Sequence, residues 1–389
     1  MILMLVAWAL LLFVFSGFSG IYYLYMRRQS SKPWNLKLTE SYDPSISIIV
    51  PVCNEEKTIR FKLENLCKVN YPSKKFETIL VNDASTDKTI DEINEFVSNN
   101  DCLDIKVLSR TEREGKTRAL NFALKHATGD VIVVSDADCF LHSDILIKAL
   151  PYLSDPTVGA ITARELLFNS QSSWVTVGEQ FFDNTVQSIR IGESKVHSTI
   201  FFQGGFAAYK RKFLQEFNHE TDDSGTAFDV VQRNSRSLLI PEVGFYTIFP
   251  TDWKSKITLK IRRANQLQRL WIKSLKLLVN RKLKLPKKIA VPELFLHLFN
   301  PVLFVVLGVI SVFVFMQYPV LLAAFLVMLC PALLIRKTRT MLIEVIQNNC
   351  ILLAALTTFV TSSGFKLWKT SQEARSLITE DMLKEKGLI

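Results

Sequence analysis

Two aspartates, Asp136 and Asp138, stand two residues apart in the stretch TGDVIVVSDADCF, from Thr128 to Phe140. Immediately before them, Val131 to Val134 is a wholly apolar, β-branched run, as suits a strand buried on both faces of a parallel sheet. In an extended chain, side chains two apart point the same way. Both acids then stand at the carboxyl end of a central strand, where open α/β sheets bind their ligands. An oxygen-rich pair in that place suits a hard divalent cation carrying substrate phosphates. A lone Asp-Ala-Asp is equally an ordinary polar turn that closes a strand, so the rest of the chain has to decide.

The elements around the pair alternate. Ile46 to Val52 reads as a strand, and Glu55 to Val69 as a helix with Ile59, Leu63 and Leu66 on one face. Phe76 to Val81 is the next strand, then a turn-rich NDASTD, a helix through Ile90, Ile93 and Val97, and a strand at Ile105 to Leu108. A helix from Lys116 to His126 leads into the central strand. Beyond Asp138 come a helix with Ile145, Leu146, Ala149 and Leu150 and a strand near Val158 to Ala163. Phe168 to Ser198 follows neither period. FFQGGFAAYKRKF, Phe201 to Phe213, reads as a glycine turn followed by a short basic helix. Strand and helix taking turns predicts an α/β domain, a mostly parallel sheet with helices on both faces.

This domain is framed by apolar runs. Residues 1–26 are uncharged and end at Arg27 and Arg28, which predicts a transmembrane signal anchor with the following domain on the cytoplasmic side. Residues 27–44 read as a linker and 45–253 as the globular domain. Over residues 254–288 there are thirteen Lys or Arg and no Asp or Glu. Ile257, Ile261, Ala264, Leu267, Trp271, Leu275 and Leu278 recur there at steps of three and four. That predicts a basic amphipathic helix, or a pair, lying in the headgroup layer. Residues 289–365 hold two or three transmembrane or re-entrant runs: Leu294 to Met316, Val320 to Ile335, and a short one at Cys350 to Phe365. Residues 366–389 read as a polar tail. The formal charge of +10 sits largely in the basic helix, so membrane lipids and phosphate are the expected partners and nucleic acid is not. Six scattered cysteines without CxxC spacing argue against a disulfide framework or zinc site, and for a reducing setting.

Further fragments extend the chemistry. SIIVPVCNEEKTI carries Pro51 and Glu55, VNDASTDKT carries Asp83 at a strand end, and EGKTRALN opens a helix at Lys116. Later come the Gly204-Gly205 turn, ETDDSGTAFDVVQR with Asp222 and Asp223, IPE at Ile240 to Glu242, and a helix bearing Gln266, Arg269 and Trp271. Taken alone, Glu55 could accept from a base or ribose, or partner a helix dipole. Asp83 could accept from a base, Lys116 could pair with phosphate, and Asp223 could cap the helix that follows it.

In this order, from about Ser45 to Lys273, the motifs resemble the membrane-embedded family 2 glycosyltransferases of GT-A fold. The group includes cellulose, chitin, hyaluronan and poly-N-acetylglucosamine synthases and polyprenyl-phosphate sugar transferases. The resemblance implies an inverting transfer from a nucleotide-diphosphate sugar, expected to be UDP-linked, to a growing polysaccharide, with a lipid carrier as the alternative acceptor. It implies that Pro51, Glu55 and Asp83 line the nucleotide pocket and that Asp136 and Asp138, chiefly Asp138, hold Mg2+ or Mn2+. Asp223 becomes the general base, with Asp222 where the family has Glu. Gln266, Arg269 and Trp271 fall on the family's Gln-x-x-Arg-Trp element, but Leu270 takes the Trp position and Trp271 lies about 100° further round the helix. A second register places Arg262 and Arg263 on the Arg-Trp pair. The expected location is the plasma membrane, and a homo-oligomer is compatible with so few spans. A catalytically silent assembly module is the rival reading, which intact Asp136, Asp138 and Asp223 oppose. A nucleotide-binding ATPase is opposed by the lack of a Gly-x-x-x-x-Gly-Lys-Ser/Thr loop.

Overall fold

The structure, a computed structural model, describes residues 2–39, 42–71, 76–361 and 375–389. Helices α1 (Ile2–Leu12) and α2 (Ser19–Ser30) are joined through a π-helical turn at Phe13–Phe18. Together they form one apolar rod of 29 residues, with Arg27 and Arg28 in the last turn, where cations suit the helix dipole. The alternating stretch follows as β1 (Ile46–Val52), α3 (Ile59–Cys67), β2 (Phe76–Asp83), α4 (Thr89–Asn99), β3 (Ile105–Arg110), α5 (Lys116–Leu124) and β4 (Val131–Val134). Next come β5 (Phe140–Leu141), α6 (Ile145–Ala149), β6 (Val158–Leu167), α7 (Trp174–Val196), β7 (Ala207–Lys210), α8 (Ser224–Gln232) and β8 (Arg236–Thr247). The remaining helices are α9 (Trp253–Val279), α10 (Lys287–Leu294), α11 (Asn300–Gln317), α12 (Pro319–Leu334), α13 (Arg336–Thr361) and α14 (Glu380–Glu385).

One sheet of eight strands runs in the order β3-β2-β1-β4-β7-β6-β8-β5. Its first four strands are parallel, with Ile49 opposite both Ile79 and Val134. The period-2 alternation divides their side chains between two cores. Ile48 and Val50 pack with Leu63 and Leu66 of α3 on one face. Ile49, Ile79 and Val81 pack with Leu120 and Ala123 of α5 on the other. Every residue of β4 is buried, as its unbroken apolar run requires.

Several expectations are corrected. Ala207–Lys210 is a buried strand antiparallel to both β4 and β6, and only Arg211–Phe213 makes a short helical turn. Pairing on both edges outweighs the local basic character. Phe168 to Ser198 contains the long helix α7. Residues 254–279 form one helix, capped by Asp252, whose side chain accepts from the Ser255 amide at 2.8 Å. The last apolar run is the end of a helix that begins at Arg336, and its residues 362–365 lie outside the described ones. Cys67 and Cys102 form a disulfide with their Cα atoms 5.7 Å apart. They close α3 and follow α4, two helices that pack side by side, so a separation of 35 residues leaves no spacing signal in the sequence.

The chain forms two units. One comprises residues 2–31, 171–192 and 252–361, and the other, with the sheet, residues 32–170, 193–251 and the described part of 365–389. Among the described residues, the helical unit has three helices long and apolar enough to cross a membrane: Ile2–Ser30, Lys287–Gln317 and Arg336–Thr358. Its α9 does not carry all its charge outward. Lys256, fully buried, pairs with Glu344 of α13 at 2.7 Å, and Lys260 pairs with Glu179 of α7 at 2.6 Å. Within the sheet unit, residues 375–389, read from sequence as tail, are folded. Leu383 and Leu388 are buried beside Phe140, and the Asn65 side-chain amide donates to the Leu388 carbonyl at 2.9 Å.

Candidate active site

Strand ends build the site. The ladder of β1 against β4 runs to Ile49 and Val134, and Asp136 and Asp138 follow directly. Ser135 is pinned there, its hydroxyl donating to the Gly205 carbonyl at 2.7 Å and accepting from the buried Lys62 ammonium at 2.6 Å. The Asp136 amide donates to the Gly204 carbonyl at 2.9 Å. A Cβ at Gly204 would meet Asp136 Oδ2 at 2.3 Å and Lys116 Nζ at 2.6 Å, so a glycine is needed for this close approach.

Lys116 is the junction. Its ammonium lies 2.7 Å from Asp136 Oδ1 and 2.8 Å from Asp222 Oδ2, which joins the end of β4 to the loop before α8. Burial pulls the Lys116 pKa down, but the charges of Asp136, Asp222 and Asp223 outweigh it and the net shift is upward. Asp223 is the N-cap of α8. Its Oδ1 accepts from the Thr221 hydroxyl at 2.6 Å and from the Ser224 amide. Burial, then the neighbouring charge of Asp222, raise its pKa above the ordinary carboxylate value. The two roles the sequence offered for Asp223, cap and base, are therefore compatible, since both bonds fall on one oxygen.

Asp83 ends β2 and accepts from the Glu114 and Gly115 amides at 3.1 and 2.7 Å. It fixes the turn in which Gly115, at φ 95°, opens α5 and delivers Lys116. Glu55 is buried, accepting from the Thr58 hydroxyl at 2.8 Å. Burial, then the charge of Asp138, push its pKa up to about 8, against the pull of Arg375. Pro51, Glu55, Asp83, Lys116, Asp136 and Asp138 line one cleft, with Cys53, Arg113 and Arg375.

Arg375 was not anticipated. It contacts Glu55 and lies 3.7 Å from Asp138, from 320 residues away in sequence. No motif or spacing marks it.

Asp136, Asp138 and Cys139 place their ligand atoms within 4.8 Å of one another. Burial holds the Cys139 thiol well above its ordinary pKa, so the donors on offer are carboxylate oxygens. That set fits a hard cation such as Mg2+ or Mn2+ and not a thiophilic one.

The Gln-x-x-Arg-Trp residues fall in the other unit. Arg262, Arg263, Gln266, Arg269 and Trp271 all belong to α9 in the helical unit. Trp271 is fully buried and stacks on His297 with ring centroids 5.7 Å apart. Arg269 donates to Asn265 at 3.1 Å. The neighbour Gln268 donates to the His297 and Leu352 carbonyls at 3.1 and 2.9 Å.

Residues 47–217 match the family model described as Glycosyl transferase family 2. Among curated relatives, a β-monoglucosyldiacylglycerol synthase of a Nostoc species is 35% identical over 136 residues, which is 35% of this chain and 29% of the relative. A poly-β-1,6-N-acetyl-D-glucosamine synthase of Staphylococcus epidermidis is 25% identical over 209 residues, covering 52% and 49%. The aligned regions thus span half or less of those relatives' lengths. A mannosyltransferase of Pyrobaculum calidifontis, solved in complex with GDP-Man and Mn2+, superposes with a TM-score of 0.76 at 29% identity, covering 91% of this chain and 97% of that one. The chain carries a family 2 glycosyltransferase domain, and its sheet unit has the GT-A fold.

Proposed function

We propose that the protein is an inverting membrane glycosyltransferase that moves a sugar from a nucleoside diphosphate to an acceptor hydroxyl. The observation that carries this is the Lys116 bridge from Asp136 to Asp222, which ties the end of β4, in the cleft, to the loop that bears Asp222 and Asp223. Pro51, Glu55 and Asp83 line the nucleotide side. Asp138, with Asp136, would hold a divalent ion, which would supply charge neutralisation for the departing diphosphate. Asp223 takes the proton of the attacking hydroxyl, and its raised pKa suits a group that must accept one. Asp222 is the less suited of the two, because its carboxylate is engaged by the Lys116 ammonium. A single displacement follows, on the face of the anomeric carbon opposite the diphosphate.

Two donors stand. The motifs resemble enzymes that use UDP-sugars, whereas likeness over nearly the whole chain to a mannosyltransferase solved with GDP-Man favours a GDP-linked hexose. For the acceptor, relatives of both kinds are similar to this chain, one named for a glycolipid and one for a polysaccharide. Burial of Trp271 supports single transfer to a lipid-linked alcohol over polymer extension. Arg27 and Arg28 after the first span, and Arg336, Lys337 and Arg339 before the last, support a cytoplasmic sheet unit at the plasma membrane. The test is to incubate purified protein in lipid with a panel of GDP- and UDP-sugars and Mg2+ or Mn2+. Nucleotide release identifies the donor, and product size separates glycolipid from polymer. Absence of donor-dependent release across the panel would overturn the reading.

A further inference from the structure

Arg375 is 5% exposed and lines the cleft of Asp136 and Asp138. One of its nitrogens, Nη2, faces Glu55 and Asp138. The other two, Nε and Nη1, are buried and make no hydrogen bond among the described residues. A guanidinium stays charged and carries five donors in a rigid fork. Burying such donors without acceptors is costly, and more so on a charged group. An oxyanion removes that cost through short, charge-assisted bonds, and arginine matches phosphate geometry well. The position selects the phosphates of a donor over its base, because Arg375 lies beside Asp138, the acid proposed to hold the metal-carried diphosphate.

We infer that Arg375 is a ligand of the donor's diphosphate, delivered into the cleft by the segment 375–389. The inference rests on the proposed function above and names one more contact within it. The segment is anchored on the sheet unit independently of any ligand. The Thr379 side chain caps α14, accepting from the Met382 amide. Leu383 and Leu388 are buried, and Asn65 holds the Leu388 carbonyl. Arg375 is thus presented by a folded base. In the free protein it pairs with Glu55 and lies near Asp138, which offsets negative charge in the cleft. With donor bound, the Nε and Nη1 hydrogens turn to phosphate oxygens.

The test compares nucleoside diphosphate with the matching nucleoside. Binding of GDP and UDP with Mn2+, and of guanosine and uridine, is measured by calorimetry on full-length wild type, Arg375→Gln and Arg375→Lys. Arg375→Gln weakens diphosphate binding by about tenfold to a hundredfold, the range for hydrogen bonds to charged groups, and leaves nucleoside binding within about twofold. Arg375→Lys keeps a cation opposite Glu55, so it guards against misfolding in the neutral variant, and it falls between the two. Unchanged diphosphate affinity in folded Arg375→Gln overturns the inference alone. Equal losses for diphosphate and nucleoside also overturn it, because Arg375 then acts only by holding Glu55. A wild type that binds neither diphosphate overturns the proposed function, and this inference with it.

Discussion

A single methyl group at position 204 tests the geometry of the cleft. In Gly204→Ala the new Cβ would lie 2.3 Å from Asp136 Oδ2 and 2.6 Å from Lys116 Nζ, where ordinary contact begins at 3.4 Å. The carboxylate must therefore retreat by about 1 Å. Backbone strain does not enter, since Gly204 has no positive φ. The three nearest atoms, the third being Asp136 Cγ at 2.9 Å, all belong to side chains, so the fold can adjust while the acid moves. A displacement of about 1 Å in a positioned catalytic group costs on the order of 100-fold in rate, or about 2.7 kcal/mol of transition-state stabilisation. The assay is nucleotide release in lipid, scored as kcat/KM beside the Tm of the same preparation. The expected result is a loss of about 100-fold with Tm nearly unchanged. A variant that turns over within about threefold of wild type would refute the claim that the Asp136–Lys116 contact sets the chemistry. So would activity lost only in step with Tm.

Other perturbations follow from the same contacts. Asp223→Asn keeps the capping geometry but removes the proton acceptor, so transfer should fall by roughly 100-fold to 10,000-fold, while nucleoside diphosphate affinity stays within about twofold; titration and turnover on one sample check this. Asp138→Ala should remove most of the metal dependence of nucleotide binding, read as the ratio of affinities with and without Mn2+, and a ratio equal to that of wild type would contradict the metal assignment. Lys62 is fully buried and donates to Ser135 and the Cys139 carbonyl, and burial lowers its pKa to about 8. Between about pH 8 and its unfolded value of 10.5 the unfolded chain holds more protons, so stability rises with pH. Wild type should therefore gain roughly 3 kcal/mol relative to Lys62→Met between pH 8 and pH 10.5, with parallel unfolding curves as the contrary outcome.

Much of the sheet unit was legible because local pattern and tertiary demand coincide. Val131 to Val134 had to be a strand buried on both sides, and it is. The same holds for β1 and β2 and for α3 and α5, where burial follows the apolar period, whereas β3 at the sheet edge is only partly buried and Val97 of α4 is exposed. Legibility failed where long-range pairing decides. Ala207–Lys210 carries no strand period of its own and is a strand only because β4 and β6 flank it. Cys67 and Cys102 meet through the packing of α3 on α4, which no spacing records. In the site, Asp136, Asp138 and Lys116 stood out by position at element ends, yet Lys116 pairs with two of the chain's own acids before any phosphate arrives. Arg375 was invisible because its place in the cleft depends on a fold-back across 320 residues. Trp271, fully buried on α9, shows what spacing leaves out, because helical period alone cannot tell a face that meets a ligand from one that meets other helices.

The interleaving of the two units has a practical consequence. α7 sits in mid-sequence, between strands of the sheet, yet most of it belongs with the apolar helices. A soluble fragment cut to residues 45–253 would carry Glu179 away from Lys260 and its neighbour Lys256, stranding an acid inside an orphaned helix. The same fragment would lack Arg375. Trimming the apolar flanks to ease purification would thus discard part of the pocket, and any kinetics from such a piece would describe a different catalyst.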